Sequence, residues 1–318
     1  MKNVLCIGEA LIDFLSIDKG KNLCDTSGFI KKAGGAPANV AAAISKLGAK
    51  AHFCGTVGDD AFGKFLENTF NQNNINTDLM YKLKDRNTTF AFVSLMEDGE
   101  RDFEFVRDAD RYLSFDMIEK EIDKFDLYHF GSATAFLDGE LKNTYYKLKE
   151  YALNNNKLIS FDANYRDSLF SNNKDVFINC CKDYIKDSDI VKLSEEEAYL
   201  ISGRESVKEA ADYLISLGCK YLIITLGKLG AMLVTKDKQV LIPTKEIEMK
   251  DATGAGDAFM GAVIVQILNE ENKNIEDIVK LANLVGGITT TKIGALESIP
   301  TWDEVKKYNE GESALTFN

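Results

Sequence analysis

Short apolar runs alternate with segments of helical pattern over most of this chain, and that alternation restricts the fold more than any other feature. Val4 to Ile7 reads as a buried strand ending at Gly8, and Leu11 to Ile17 as a second extended stretch interrupted by Asp13. Ala38 to Leu47 is an alanine-rich helix stopped by Gly48, Ala51 to Val57 a strand, and Ala61 to Asn71 a helix. After Phe125 the alternation resumes. Strands are predicted at Leu127–Phe130, Leu158–Asp162, Ile190–Leu193 and Tyr221–Thr225, and helices at Gly139–Asn154, from Glu195, and at Val207–Leu217. Such a sequence predicts an α/β fold, a mostly parallel sheet with helices on its faces.

Two stretches depart from the pattern. Thr88–Met96 and Asp102–Phe105 are strand-like and flank Asp98-Gly99, a hairpin signal. The hairpin fits either an appended flap or an edge of the main sheet. Met232–Val234 opens a second hairpin, and Ile275 to Thr291 is a small-residue helix closed by Gly294. The 318 residues include only 3 prolines and no Pro/Ser/Gly-rich linker, so a single domain over 1–318 with a flap is expected.

Composition excludes some functions. A net charge of -12 argues against a nucleic-acid backbone or an anionic membrane as partner. The 6 cysteines show no C-x-x-C spacing and there are only 2 histidines, so a zinc site is not expected and the thiols read as free. Met1–Gly8 is too short an apolar run for a secretion signal and no stretch approaches membrane-spanning length, which together predict a cytoplasmic protein.

The chemistry concentrates in Asp251-Ala252-Thr253-Gly254-Ala255-Gly256-Asp257, a small-residue turn that runs into the apolar helix Ala258–Leu268. Glycines let the backbone approach a ligand, and a helix start offers free N–H groups and a positive dipole end to phosphate. Asp257 stands beside that nest, as a base for phosphoryl transfer would, although a dipole-favoured residue at a helix start has the same pattern. Gly34-Gly35-Ala36-Pro37-Ala38-Asn39 precedes the first helix and could approach hydroxyls. Asp162-Ala163-Asn164-Tyr165-Arg166 and Thr225-Leu226-Gly227-Lys228-Leu229-Gly230 each follow a strand, where α/β folds bind ligands. Ser194-Glu195-Glu196-Glu197 starts a helix and reads equally as a cap. Gly58–Lys64 is not a P-loop, because Phe65 lacks the required hydroxyl, and Phe259 breaks a dinucleotide fingerprint at Gly254.

In their order, these pieces resemble the ribokinase-like (PfkB) carbohydrate kinases, and within them the fructokinases, over nearly the whole chain. Gly34, Gly35, Asn39, Gly48 and Gly58 fit the family's first signature without gaps, and Asp251 through Ala262 fit its second. Ala252 stands where Thr is usual, and Ser194 where many members have the Asn of an Asn-x-x-Glu motif ending here at Glu197. The resemblance implies a three-layer sandwich with a small β lid, here about 9–33 and 86–112, that often mediates homodimers. It implies Asp257 as catalytic base, Gly254, Ala255 and Gly256 as anion hole, and Arg166 at the substrate or the transferring phosphate. Asp13, Gly34, Gly35, Asn39 and Arg107 would meet the sugar. Lys192, Ser194, Glu197, Thr225, Gly227, Gly230 and Asn283 would serve ATP, with Glu197 ordering waters on Mg²⁺. Asp251, Thr253, Thr289, Lys292, Gly294 and Ser298 resemble a K⁺ loop. D-Fructose is the expected acceptor. Arg107 and Arg166 could instead pair with a sugar acid, as in the related 2-keto-3-deoxygluconate kinases.

Overall fold

Strands form where β-branched and aromatic residues cluster, and helices where small or long unbranched residues recur every three or four positions. The computed structural model describes residues 2–96, 101–269 and 274–313. In chain order its strands are Asn3–Ile7 (β1), Leu11–Ser16 (β2), Phe29–Gly34 (β3), Lys50–Gly58 (β4), Asn76–Leu83 (β5), Thr89–Leu95 (β6) and Arg101–Val106 (β7), then Leu127–Phe130 (β8), Leu158–Asp162 (β9), Ile190–Ser194 (β10), Tyr221–Thr225 (β11), Ala231–Val234 (β12) and Gln239–Ile242 (β13). The helices are Ala36–Lys46 (α1), Ala61–Gln72 (α2), Glu140–Asn154 (α3), Asp167–Phe170 (α4), Lys174–Asp187 (α5), Glu195–Ser202 (α6), Val207–Ser216 (α7), Ala255–Asn269 (α8), Ile275–Thr289 (α9) and Trp302–Ser313 (α10).

Nine strands form the main sheet in the order β13-β12-β11-β10-β9-β8-β1-β4-β5. Its pairs are parallel from β5 to β11, and β12 alone is reversed, pairing antiparallel with β11 and with the edge strand β13. Side chains of β1 alternate between the two faces. Val4 and Cys6 pack with α1, α2, α8 and α9. Leu5 and Ile7 pack with α3, α5, α6 and α7. The result is the expected three-layer α/β sandwich. Strand order reverses between β1 and β8, the switch point at which such sheets open a crevice past their strand ends.

A separate sheet holds β3-β2-β6-β7. The hairpin therefore belongs to an appended sheet rather than to an edge of the main one. Its β6 and β7 pair antiparallel, while β2 and β6 pair in parallel. The Asp98-Gly99 turn lies outside the described residues. Gly58–Lys64 is the turn and helix start anticipated, with Asp60 capping α2 by accepting from the amides of Phe62 and Gly63 at 3.0 and 2.7 Å. The described cysteines are all free, five of them buried. Among the described residues no helix is long and apolar enough to cross a membrane.

Candidate active site

Asp257 lies in the first turn of α8, and only 8% of its surface is exposed. Its carboxylate accepts from the Asn39 side-chain amide at 2.8 Å. Asn39 sits in the first turn of α1, so the two signatures meet at one hydrogen bond between helix starts. The other side-chain atom of Asn39, Oδ1, is buried without a partner. Burial raises the Asp257 pKa above the ordinary carboxylate value, although the Asn39 bond and the charges of Lys192 and Arg166 pull it down. The preceding turn packs tightly. Gly254 has φ +78°, and a Cβ there would stand 2.8 Å from that of Ala295.

Lys192, on β10, points its ammonium at both oxygens of Asp162, 3.0 and 2.8 Å away at the end of β9. Burial alone would lower the Lys192 pKa, but the carboxylates of Asp162, Glu197 and Asp257 together outweigh it and raise it. This cation is thus committed within a cluster of carboxylates. Asp162 appeared in the sequence without an assigned role, and here it anchors Lys192. Ser194 and Glu197 form a reciprocal capping box on α6: the Glu197 amide donates to Ser194 Oγ, and the Ser194 amide to Glu197 Oε2. The other Glu197 oxygen accepts from the Tyr165 amide at 2.8 Å. Ser194 thus performs the capping that Asn would perform. Arg166 is exposed and donates to its neighbour's carbonyl, Tyr165 O.

The glycine pair closes the small sheet's β3, of which Gly34 is the last residue. A Cβ on Gly34 would fall 2.1 Å from Asp13 Oδ2, so glycine is what lets the Asp13 carboxylate lie across the strand. Gly35 caps α1 with φ 109°. Glu9, unassigned by motif, is buried behind them and accepts from the Ala36 amide at 3.0 Å. Arg107, past β7, donates from Nε to Asp110 at 2.6 Å and from Nη1 to Asp138 O at 2.9 Å, while Nη2 is buried without a partner.

At the far edge, Thr225 Oγ1 bonds to Leu193 O, and Gly227 and Gly230 bound the turn between β11 and β12. Asn283 donates its amide to Ile242 O and so clasps β13 rather than leaving that amide free. Near the C-terminus, Asp251 accepts from the Thr253 amide and hydroxyl and from the Gly294 amide at 2.8 Å, joining two loops. Ser298 Oγ is buried there without a partner. Thr289 bonds back to its own helix at Val285 O, and the Lys292 ammonium turns outward to Glu304. Those two residues offer the loop only their backbone.

Residues 1–302 match the family described as pfkB family carbohydrate kinase. The chain is 36% identical over 307 residues to a probable fructokinase-2 of Arabidopsis thaliana, covering 94% of this chain and 93% of that protein. It is similar to an uncharacterized sugar kinase of Pyrococcus horikoshii solved in complex with ATP: TM-score 0.86, 33% identity, 97% of this chain and 99% of that one. It is also similar to a fructokinase of Vibrio cholerae O395 solved with fructose, ADP and calcium ion bound: TM-score 0.87, 28% identity, 97% of this chain and 99% of that one.

Proposed function

The chain belongs to the pfkB family of carbohydrate kinases, and from that premise we propose that it transfers the γ-phosphoryl group of ATP to a primary hydroxyl of D-fructose. Asp257 is the general base and the turn of Gly254, Ala255 and Gly256 the anion hole. The observation that carries this reading is the buried Asp257–Asn39 contact beside the start of α8. A buried carboxylate with a raised pKa holds a proton more readily than one in water, which suits removal of the acceptor hydroxyl's proton. The first-turn amides of α8 face the same place with positive partial charge. Arg166, whose charge reaches Asp257, would meet the transferring phosphate.

The acceptor groups fit a neutral polyol. Asn39 Oδ1 is a buried acceptor without a donor, which a hydroxyl would supply. Asp13, Gly34 and Gly35 would meet the same sugar. The charge of Arg107 is already balanced by Asp110, so Arg107 offers a hydrogen-bond donor rather than an uncompensated cation for a sugar acid. Lys192, Ser194, Glu197, Thr225, Gly227, Gly230 and Asn283 form the ATP side. A Mg²⁺ ion, held through water by Glu197, would supply charge neutralisation at the phosphates. Glu197 fits that task, because each oxygen accepts from one backbone amide and retains a further lone pair. The loops joined by Asp251, with Thr253, Thr289, Lys292, Gly294 and Ser298, would hold K⁺, and the unpartnered Ser298 hydroxyl fits a ligand there.

The small sheet, within segments about 9–33 and 86–112, is the lid of a single domain spanning 1–318. Ile17, Phe29, Ile30 and Val106 are exposed on it and suit a homodimer contact. The deciding experiment is ADP release over fructose, 2-keto-3-deoxygluconate, ribose, glucose and adenosine. The highest kcat/KM is expected for fructose. A sugar acid in first place, with its advantage lost in Arg107→Ala, would instead establish 2-keto-3-deoxygluconate kinase activity.

A further inference from the structure

Asp110 lies in the helical turn Ala109–Tyr112, just past β7, with its side chain fully buried. Three side-chain donors converge on its carboxylate. Thr89 Oγ1, on β6 of the small sheet, donates to Oδ1 at 2.6 Å. That hydroxyl is oriented by the Asp108 amide, which donates to it at 3.0 Å. Thr134 Oγ1 and Arg107 Nε donate to Oδ2 at 2.8 and 2.6 Å. Thr134 lies past β8, and its amide donates to Ser132 Oγ at 3.1 Å. Ser132 Oγ in turn donates to Glu9 Oε2. Glu9 Oε1 accepts from the amide of Ala36, the residue after the glycine pair. Glu9, Thr89, Asp110, Ser132 and Thr134 are all at most 5% exposed. One buried polar chain therefore runs from the small sheet and Arg107 to the first residue of α1.

We propose that Asp110 is a positioning residue for acceptor binding. It fixes the Arg107 guanidinium with Nη2 unpaired, and couples that arginine through Thr134, Ser132 and Glu9 to the backbone beside Gly34 and Gly35. The proposal rests on the reading above that Arg107 meets the acceptor. Its physical basis is the direction of the hydrogen bonds. Three donors converge on two oxygens, so both oxygens serve as acceptors. An Asn of the same shape sets an N–H₂ group against a donor and leaves one group buried and unsatisfied, a costly outcome in an enclosed site.

The test is steady-state kinetics of Asp110→Asn, Thr134→Val and Arg107→Ala, with whichever sugar the acceptor panel identifies. Asp110→Asn is expected to raise the sugar KM about tenfold, with a smaller change in kcat and little change in the ATP KM. Thr134→Val removes a single donor at nearly constant volume, so it decides the matter if Asp110→Asn fails to fold; a rise of about two- to fivefold in the sugar KM is expected. Adding Asp110→Asn to Arg107→Ala is expected to raise the KM little further, since both act through one group. A lowered melting temperature with an unchanged sugar KM, or effects that multiply independently, would overturn the proposal. If Arg107→Ala alone leaves the sugar KM unchanged, the role of Arg107 fails and this coupling with it, while the identity of the acceptor is read separately from the panel.

Discussion

The Lys192 ammonium lies 2.9 Å from the point where a Cβ on residue 256 would be. A lysine tip ordinarily moves aside for a methyl group at little cost. This one is held by both oxygens of Asp162 and ringed by carboxylates, so yielding means breaking a buried pair. Gly256→Ala is therefore expected to lower kcat about 10–100-fold, through displacement of the turn or of Lys192, with a smaller effect on the sugar KM. Kinetics indistinguishable from the native enzyme would show that the contact has slack.

Asp257→Asn preserves the shape of the side chain and its contact with Asn39 but cannot accept the acceptor's proton. A general base acts in the transition state, and such groups contribute about 10²–10⁴-fold. The expected result is a kcat lowered by that factor, with sugar and ATP still binding by calorimetry. A kcat near the native value would remove Asp257 from the base role.

Glu9 supplies a pH dependence of stability. Burial raises its pKa from 4.5 to about 7, against a smaller lowering by Ser132, with Asp110 and Tyr145 the other titratable groups that face it. Because the folded value lies above the unfolded one, the folded protein binds this proton more tightly. The stabilisation is complete below the unfolded value and is lost as pH rises through about 7. Native protein should therefore lose stability relative to Glu9→Gln between about pH 5 and 8, followed by thermal melting. Melting curves that shift in parallel over that range would contradict the assignment.

The small sheet rests on the body through aromatic edges: Phe14 packs against Phe62 with ring centroids 5.8 Å apart, and the Lys31 ammonium sits 3.8 Å from the Phe65 ring centre. As a lid, it should tighten when sugar and a nonhydrolysable ATP analogue bind together. Amide exchange in 89–95 and 101–106 is expected to slow under those conditions. Unchanged exchange would rule out closure by this sheet.

The parts of this site that a sequence displays are those written contiguously. The Asp251–Asp257 turn, the glycine pair with Asn39, and the strand-ending Asp162–Arg166 segment all stand out because a glycine or a strand terminus marks them. Strands β9 and β11 were expected with the boundaries they have, since each is a short apolar run between polar turns. By contrast β5, an edge strand rich in Asn, Thr, Asp and Lys, carries weak periodicity and was not anticipated; α5 was not anticipated either, although Phe177, Cys180, Cys181, Tyr184 and Ile185 recur at helical spacing among its polar residues. The chain from Asp110 to Glu9 was invisible for a different reason. Its members come from five segments, around Glu9, Ala36, Thr89, Arg107–Asp110 and Ser132–Thr134, and only the fold makes neighbours of pairs such as Thr89 and Asp110, 21 positions apart, or Glu9 and Ser132, 123 apart. Ser194 shows the converse, a departure from the family pattern whose geometry as a helix cap was legible from its spacing to Glu197.

Where α8 crosses α1, a Cβ on Gly261 would lie 2.4 Å from that of Ala43. The two helices touch there at nearly backbone distance, one turn beyond Asp257 and Asn39 respectively. A methyl group added at this crossing would wedge the helices apart and stretch the Asn39–Asp257 hydrogen bond that joins their starts. The interior of this enzyme and the carboxylate proposed as its base are in that sense one mechanical part, so a conservative change deep in the apolar layer would surface as lost turnover before it surfaced as unfolding.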